Sequence, residues 1–267
     1  MKKAVINLIK FIPRKIKKLS LLFIEKDLKR IRNIEAVQNN LLLLQKLILS
    51  RQIDQEFNIF QGEVLQDLYA YLFFNGKKDG FYIDIGANDG KHQSNTYFFE
   101  QMGWKGVCIE PQKDIFEILK QNRKCDVYNA AISGESKEEA EFIKAAGAQG
   151  LSGLNSQMSK AHKKRIKKEN GKIEIIKIKT LSFEDLMKNY PEKLHIDFLS
   201  IDVEGAEMSI LKGVDFSKYS FGLLTIENNE ETEGMGNELI KFMDSKGYRV
   251  LHDLGLDIMF IKKSPEN

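Results

Sequence analysis

Four short apolar runs in this chain end on a carboxylate: FYID at 81–84, GVCIE at 106–110, FLSID at 198–202 and LLTIE at 223–227. Segments with helical spacing separate them. SNTYFFEQMG reads as a helix closed by Gly103, and DIFEILKQNRK as a helix with Asp114 as N-cap. CDVYNAAIS at 125–133 reads as a further strand. Short strands alternating with helices over short connections predict a parallel sheet with crossover helices, an α/β fold. In such a sheet, ligands bind beyond the carboxyl ends of the strands. Asp84, Glu110, Asp202 and Glu227 would all stand at that pole.

The remaining chain fits this frame with two additions. GEVLQDLYAYLFF precedes the first strand as a helix. Later, SFEDLMKNY starts a helix with Ser182 and Asp185 in capping-box spacing, GAEMSILKGV and NELIKFMDSKG are helices, and YRVLHDLGLDIMFIKK is a terminal hairpin around Gly255. The first addition is a long insertion at 134–172. It contains the glycine-rich GAQGLSGLNSQM and the basic SKAHKKRIKKENGK, and the strand KIEIIKIKTL follows it. The second is an N-terminal extension, residues 1–55, ahead of the main domain at 56–267. The first 30 residues hold ten Lys/Arg and two acids, a balance of +8 within a total of +3, which leaves the rest at −5. Val5, Leu8, Ile9, Ile12, Ile16, Leu19 and Phe23 make one helical face, suited to peripheral contact with an anionic membrane or to docking on the chain itself. Ile34, Val37, Leu41, Leu44 and Ile48 form about two heptads, a seam for self-packing or a homo-oligomer contact.

At 42% hydrophobic residues the chain can build a sizeable core. No apolar run approaches the roughly 18 residues of a membrane-spanning helix. Cys108 and Cys125 lack metal-finger spacing and read as free thiols of a reducing compartment. A cytoplasmic location follows, including the cytoplasmic membrane face.

The turn GANDG, at 86–90, carries the cofactor argument. A dinucleotide fingerprint needs GxGxxG, with a central glycine against the pyrophosphate. Here the glycines stand four apart, and Asp84 and Asp89 would repel a pyrophosphate. A ligand with a sulfonium and an amino acid tail suits these acids better. Glu110, 26 positions after Asp84, can accept from ribose hydroxyls. Together they point to S-adenosylmethionine (SAM).

FYIDIGANDGKHQSNTYFFE, WKGVCIEP, NAAIS and FLSIDVEGAEMSILKG occur in this order, and with them residues 60–262 resemble the FkbM family of SAM-dependent methyltransferases. The resemblance implies a class I, Rossmann-like fold: a mostly parallel seven-stranded sheet flanked by helices, with an antiparallel last strand. It implies O-methylation, often of sugar or polyketide hydroxyls. Carried over by motif, Asp84, Gly86, Ala87, Asn88 and Gly90 would hold the amino acid part of SAM. Glu110 and Pro111 would lie at the ribose, and Asn129 and Ala130 at the adenine. Ser94, Asn95 and Thr96 would either bind the SAM carboxylate or cap the first helix. The match at Gln66–Asp67 is partial, and no role follows for them.

An alcohol acceptor needs its proton removed during attack. Asp202 or Glu204 could act as that base. With Glu227 they could instead hold Mg²⁺ or a similar divalent cation. A third reading makes Glu204 a helix cap and Asp202 a wall of the SAM pocket. His92 is a further catalytic candidate beside the glycine turn. His162 reads as solvated, and Trp104 as core. The insertion is the candidate acceptor lid, its lysines suited to an anionic, glycan-linked acceptor. Nucleic acid is not expected, because the main domain is net acidic.

Overall fold

The acid-terminated runs become strands of one sheet. The computed structural model describes residues 60–264 apart from 170, 193 and 229–234. The basic helical face at 1–30 and the seam at 34–48 lie outside the described residues. Helix α1 (Gln66–Phe73) leads into β1 (Phe81–Ile85), α2 (Tyr97–Gln101), β2 (Lys105–Ile109), α3 (Lys113–Asn122) and β3 (Asp126–Tyr128). An inserted unit follows: β4 (Ala131–Ser133), β5 (Lys137–Ala146), β6 (Gly153–Leu154), α4 (Lys160–Lys168) and β7 (Lys172–Ser182). The chain then makes α5 (Phe183–Met187), β8 (His195–Ile201), α6 (Glu207–Lys212), β9 (Ser220–Glu227), α7 (Met235–Ser245), β10 (Tyr248–Asp253) and β11 (Asp257–Lys262).

The main sheet has seven strands in the order β10-β11-β9-β8-β1-β2-β3. All neighbours are parallel except β11, which runs antiparallel to both β9 and β10. This is the class I methyltransferase arrangement, with the expected hairpin at its edge. β1, β2 and β8 are buried along almost their whole length, as parallel strands covered on both faces must be. Strand order reverses at β1, which lies between β2 and β8, so a crevice opens at their carboxyl ends. Ser182 caps α5 as expected, its Oγ accepting from the Asp185 amide at 3.0 Å. Trp104 is 3% exposed and donates through Nε1 to the Lys77 carbonyl. Cys108 and Cys125 are free, their sulfurs 3.5 Å apart.

Three expectations need correction. CDVYNAAIS is two strands: β3 stays in the main sheet, and β4 leaves it to pair with β7. Asp114 does not cap α3; Gln112 occupies that position, and Asp114 meets Lys144 at 2.6 Å. The insertion, given no strand of its own in the sequence, carries β5 and β6 of a second sheet, ordered β4-β7-β5-β6. Its long strand KEEAEFIKAA hides from apolar periodicity because charged residues crowd its first half. There Lys179 pairs with Glu138, and Lys177 with Glu139 at 2.5 Å. In its second half Phe142 joins the main core, while Ile143 and Ala145 join a smaller one with Leu151, Met158 and Ile166.

Among the described residues, no helix is long and apolar enough to cross a membrane.

Candidate active site

A cavity of about 420 Å³ opens at the switch point, between the carboxyl ends of the parallel strands and the second sheet. One half is built on the glycine turn. The Gly86 and Ala87 amides both donate to the Ile109 carbonyl at 3.0 Å, which ties the turn to β2. Gly86 has φ 89°, and a Cβ there would stand 1.8 Å from the Asp202 carbonyl oxygen. Only glycine fits that approach. Asn88 also adopts a left-handed conformation, at φ 49°, which asparagine tolerates better than most residues.

Asp84 is 4% exposed on the cavity floor. It accepts from Thr96 Oγ1 at 2.5 Å and Ser94 Oγ at 3.5 Å. Burial pushes its carboxyl up, and Arg123 and these hydroxyls oppose that. Sequence reasoning missed Arg123, whose side chain is fully enclosed. Its guanidinium donates to Glu100 (3.1 Å), the Gly90 carbonyl (2.9 Å), Ser94 Oγ (3.2 Å) and Thr96 Oγ1 (2.9 Å). It also lies over the Tyr82 ring, 5.2 Å from the centroid. One buried cation thus binds the glycine turn, the start of α2 and Glu100, and its charge also acts on Asp84.

Among the described residues, two buried oxygens on the cavity wall have no hydrogen-bond partner. Asn95 donates through Nδ2 to Ser200 Oγ at 3.1 Å, but its Oδ1 has no partner. Gln112 donates its amide to Glu110 at 2.7 Å, and its Oε1 is likewise unpaired. Both residues are at most 6% exposed. Unpaired buried acceptors are costly, so each invites a ligand N–H or O–H. Burial pushes Glu110 itself up to about 7.

The expected cofactor residues are thus mostly gathered on one wall: Asp84, Gly86, Ala87, Asn88, Ser94, Asn95, Glu110, Pro111 and Ala130. Gly90, Thr96 and Asn129 stand behind it. Gly90 packs on Leu119 and Arg123. Thr96 orients Asp84, and Asn129 donates to the Glu110 and Pro111 carbonyls at 2.9 and 3.0 Å. Ser94 also caps α2, accepting from the Thr96 and Tyr97 amides. Gln66 and Asp67 gain places too. Gln66 donates to Asp257 at 2.6 Å, and Asp67 gathers the Gln61, Gly62 and Leu68 amides.

The other half holds the acids. Asp202, Glu204 and Glu227 can place one oxygen each within 4.8 Å of one another. Glu204 sits at φ 59° and Gly205 at φ 115°, a left-handed turn that lifts Glu204 over the strand end. The cap of this turn is Glu207, not Glu204: its carboxylate accepts from the Val203 and Gly205 amides. The Glu204 amide donates to Glu227 at 3.1 Å. Asp202 lies open to the cavity but recessed within it. That recess, then the charges of Glu204, Asp257 and Glu207, push it well up, while a hydrogen bond with Glu227 opposes this. Glu227 is pushed up by burial and by Asp202. Carboxyls this close repel one another when all are ionised, so the group holds a proton more readily than an isolated acid does.

His92 stands on the rim. Its side chain is 79% exposed, and Nδ1 is held 2.5 Å from Asp89. The insertion supplies the apolar wall, with Phe142, Leu151 and Leu154. Its lysines are not on that wall; Arg165 is the basic residue it contributes there. The cavity itself therefore gives no cationic seat for an anionic acceptor beyond Arg165.

The FkbM methyltransferase domain profile matches residues 84–250. The methyltransferase sdnD of Sordaria araneosa is 24% identical over 225 residues, 74% of this chain and 84% of its own. Solved structures with a similar chain path include precorrin-6y C5,15-methyltransferase from Geobacter metallireducens, at 10% identity and TM-score 0.43. It covers 80% of this chain and 95% of that one. A methyltransferase from Pyrococcus furiosus gives 14% identity and TM-score 0.37, covering 85% and 98%. The domain match spans more than half of the chain and takes in the glycine turn, Glu110 and the three acids, so this chain belongs to the FkbM methyltransferase family.

Proposed function

We propose that this methyltransferase transfers the methyl group of SAM to a hydroxyl, that of a sugar in a glycan or glycolipid. The observation that carries this reading is one cavity with a donor cradle at one end and the clustered carboxyls of Asp202, Glu204 and Glu227 at the other. SAM supplies an electrophilic methyl on its sulfonium. Its hydrogen-bond donors are an ammonium, two ribose hydroxyls and an adenine amino group. The wall offers the matching acceptors: Asp84 and Asn95 Oδ1 near the glycine turn, and Glu110 and Gln112 Oε1 at the end of β2. At the acid end, Asp202 and Glu227 are the groups to take the acceptor proton, and Glu204 accepts from neighbouring hydroxyls. The apolar wall from the insertion excludes water.

A divalent cation on Asp202, Glu204 and Glu227 is the competing way to acidify the hydroxyl. Turnover that survives EDTA supports the carboxyl base; loss restored by Mg²⁺ supports the cation. The first experiment is calorimetric titration of the full chain with SAM and with NAD, followed by release of S-adenosylhomocysteine (SAH) with a panel of methyl glycosides. Micromolar SAM binding with glycoside-dependent release is expected. SAM binding without turnover on any acceptor would leave a non-catalytic binding module.

Glu110 makes SAM affinity depend on pH. A carboxyl at about 7 is mostly protonated at pH 6 and ionised at pH 8. Only the ionised form accepts from two hydroxyls with both oxygens, so affinity should rise about tenfold over that range. Glu110→Gln should bind more weakly and lose this slope; a slope that persists would place the titration elsewhere. The same shift acts on stability in the opposite sense. The folded chain holds this proton more tightly than the unfolded one, so its contribution to stability falls as pH rises from 4.5 through about 7.

A further inference from the structure

In sequence, SKAHKKRIKKENGK is a solvated basic stretch and His162 one of its surface residues. In the structure His162 is 2% exposed, on the inner face of α4. Its Nε2 lies 3.0 Å from the Leu151 carbonyl oxygen. A carbonyl can only accept, so Nε2 carries the proton. The other ring nitrogen, Nδ1, lies 3.5 Å from Oε2 of Glu204. The imidazole therefore joins the inserted unit to a carboxyl of the acid group.

The backbone on both sides is built for this meeting. A Cβ on Gly153, in β6, would come within 3.1 Å of the Glu204 carbonyl oxygen and 3.2 Å of that of Val203. A Cβ on Gly205 would come within 3.2 Å of the Gln157 carbonyl oxygen. Bare glycines thus let the insertion lie directly on the turn that carries Glu204. That turn is left-handed at a non-glycine residue, a conformation which persists only when its surroundings enforce it. Glu227, at the end of β9, and Glu207, at the start of α6, hold its amides. From the insertion, His162 reaches its carboxyl.

We propose that His162 is a positioning residue for methyl transfer, which aims the Glu204 carboxyl at the acceptor. It is not on the cavity wall and touches neither donor nor acceptor. The inserted unit thereby belongs to the catalytic apparatus as well as to acceptor choice. This rests on the reading of the acid group as the acceptor-facing end.

The test separates the two ring nitrogens. In His162→Gln the side-chain amide reaches the place of Nε2 and keeps the Leu151 bond. In His162→Asn it reaches only the place of Nδ1 and keeps the Glu204 side. Imidazole nitrogen spectra of ¹⁵N-histidine-labelled full-length protein come first, since they need no acceptor. His162→Gln assigns the signals by their loss. Glu204→Gln is expected to shift the Nδ1 resonance of His162 and leave Nε2 in place; an unmoved Nδ1 overturns the proposal. Turnover follows, as SAH release with the methyl glycoside panel. A misdirected group can cost about 10²-fold, so kcat should fall by that order in His162→Gln and recover in His162→Asn. SAM affinity should stay at the wild-type value in both. If His162→Asn is instead the poorer enzyme, His162 only anchors α4 and the proposal fails. A wild type that releases no SAH, with the Nδ1 signature intact, removes the methyl-transfer reading and this proposal together. A silent Nδ1 in active enzyme removes this proposal alone.

Discussion

Asp202→Asn should slow methyl transfer by about 10²–10⁴-fold, the usual contribution of a positioned general base. Its Kd for SAM should change by no more than a few-fold. The asparagine keeps the shape and a hydrogen bond to Glu227, but it cannot receive a proton. Because Asp202 and Glu227 belong to one carboxyl cluster, Glu227→Gln should show a loss of the same order. The double variant should be little worse than either single one, since both remove the same device. Asp202 is held above the usual carboxylate range by its recess and its acidic neighbours, and Glu227 by burial and Asp202. The acid limb of the kcat profile should therefore lie above that range, and it should vanish in Asp202→Asn. Initial rates of SAH release against pH measure all of this. A variant that loses SAM binding and turnover equally would make Asp202 a wall of the donor pocket and nothing more.

Arg123→Met should destabilise the fold by about 3–5 kcal/mol, the scale for removing one partner from a buried ionic group. Methionine fills much of the volume, but Asp84 and Glu100 then face each other's surroundings without a cation. The hydroxyls of Ser94 and Thr96 and the Gly90 carbonyl also lose a donor. Urea denaturation of the two proteins gives the difference directly. Arg123→Lys should recover only part of it, because one ammonium cannot span four acceptors that a planar fork reaches together. Burial works against the Glu100 carboxylate, yet the Tyr82 hydroxyl and Arg123 hold it below its ordinary value. Acid should thus destabilise the wild type partly through Glu100: its contribution is present above the unfolded pKa and is lost as pH falls through the folded one. That share should be missing in Arg123→Met. A loss under about 1 kcal/mol would mean that water or a rearranged side chain replaces the guanidinium.

The sequence made the donor half legible because its information is local. A strand, a glycine turn and an acid at the end of the next strand are read from neighbours in the chain. Arg123 was invisible for the opposite reason. Its partners at 90, 94, 96 and 100 come from a different segment, and nothing in KQNRK distinguishes a buried cation from a helix-ending one. The second sheet escaped because β5 alternates charges with apolar residues too sparsely for a strand signal. β4 escaped because it continues β3 in sequence while belonging to another sheet. His162 escaped because a cluster of lysines around it suggested water, although Ile166, four residues on, gave α4 an inward face. Gln66 carries a role that depends on a residue far along the chain, Asp257.

The way the insertion joins the main sheet has a further consequence. It departs through β4 and returns through β7, and these two strands lie side by side, Ala131 against Thr180 and Ser133 against Ser182. A segment that leaves and re-enters at one point can be replaced without re-threading the rest. The wall that the insertion adds to the cavity and the strands that carry the glycine turn are therefore separable units. A lineage could acquire a new acceptor by exchanging the stretch between these strands, under one condition. On the proposal for His162, the incoming stretch would have to bring a side chain able to hold Glu204, or a graft would bind both molecules and transfer slowly.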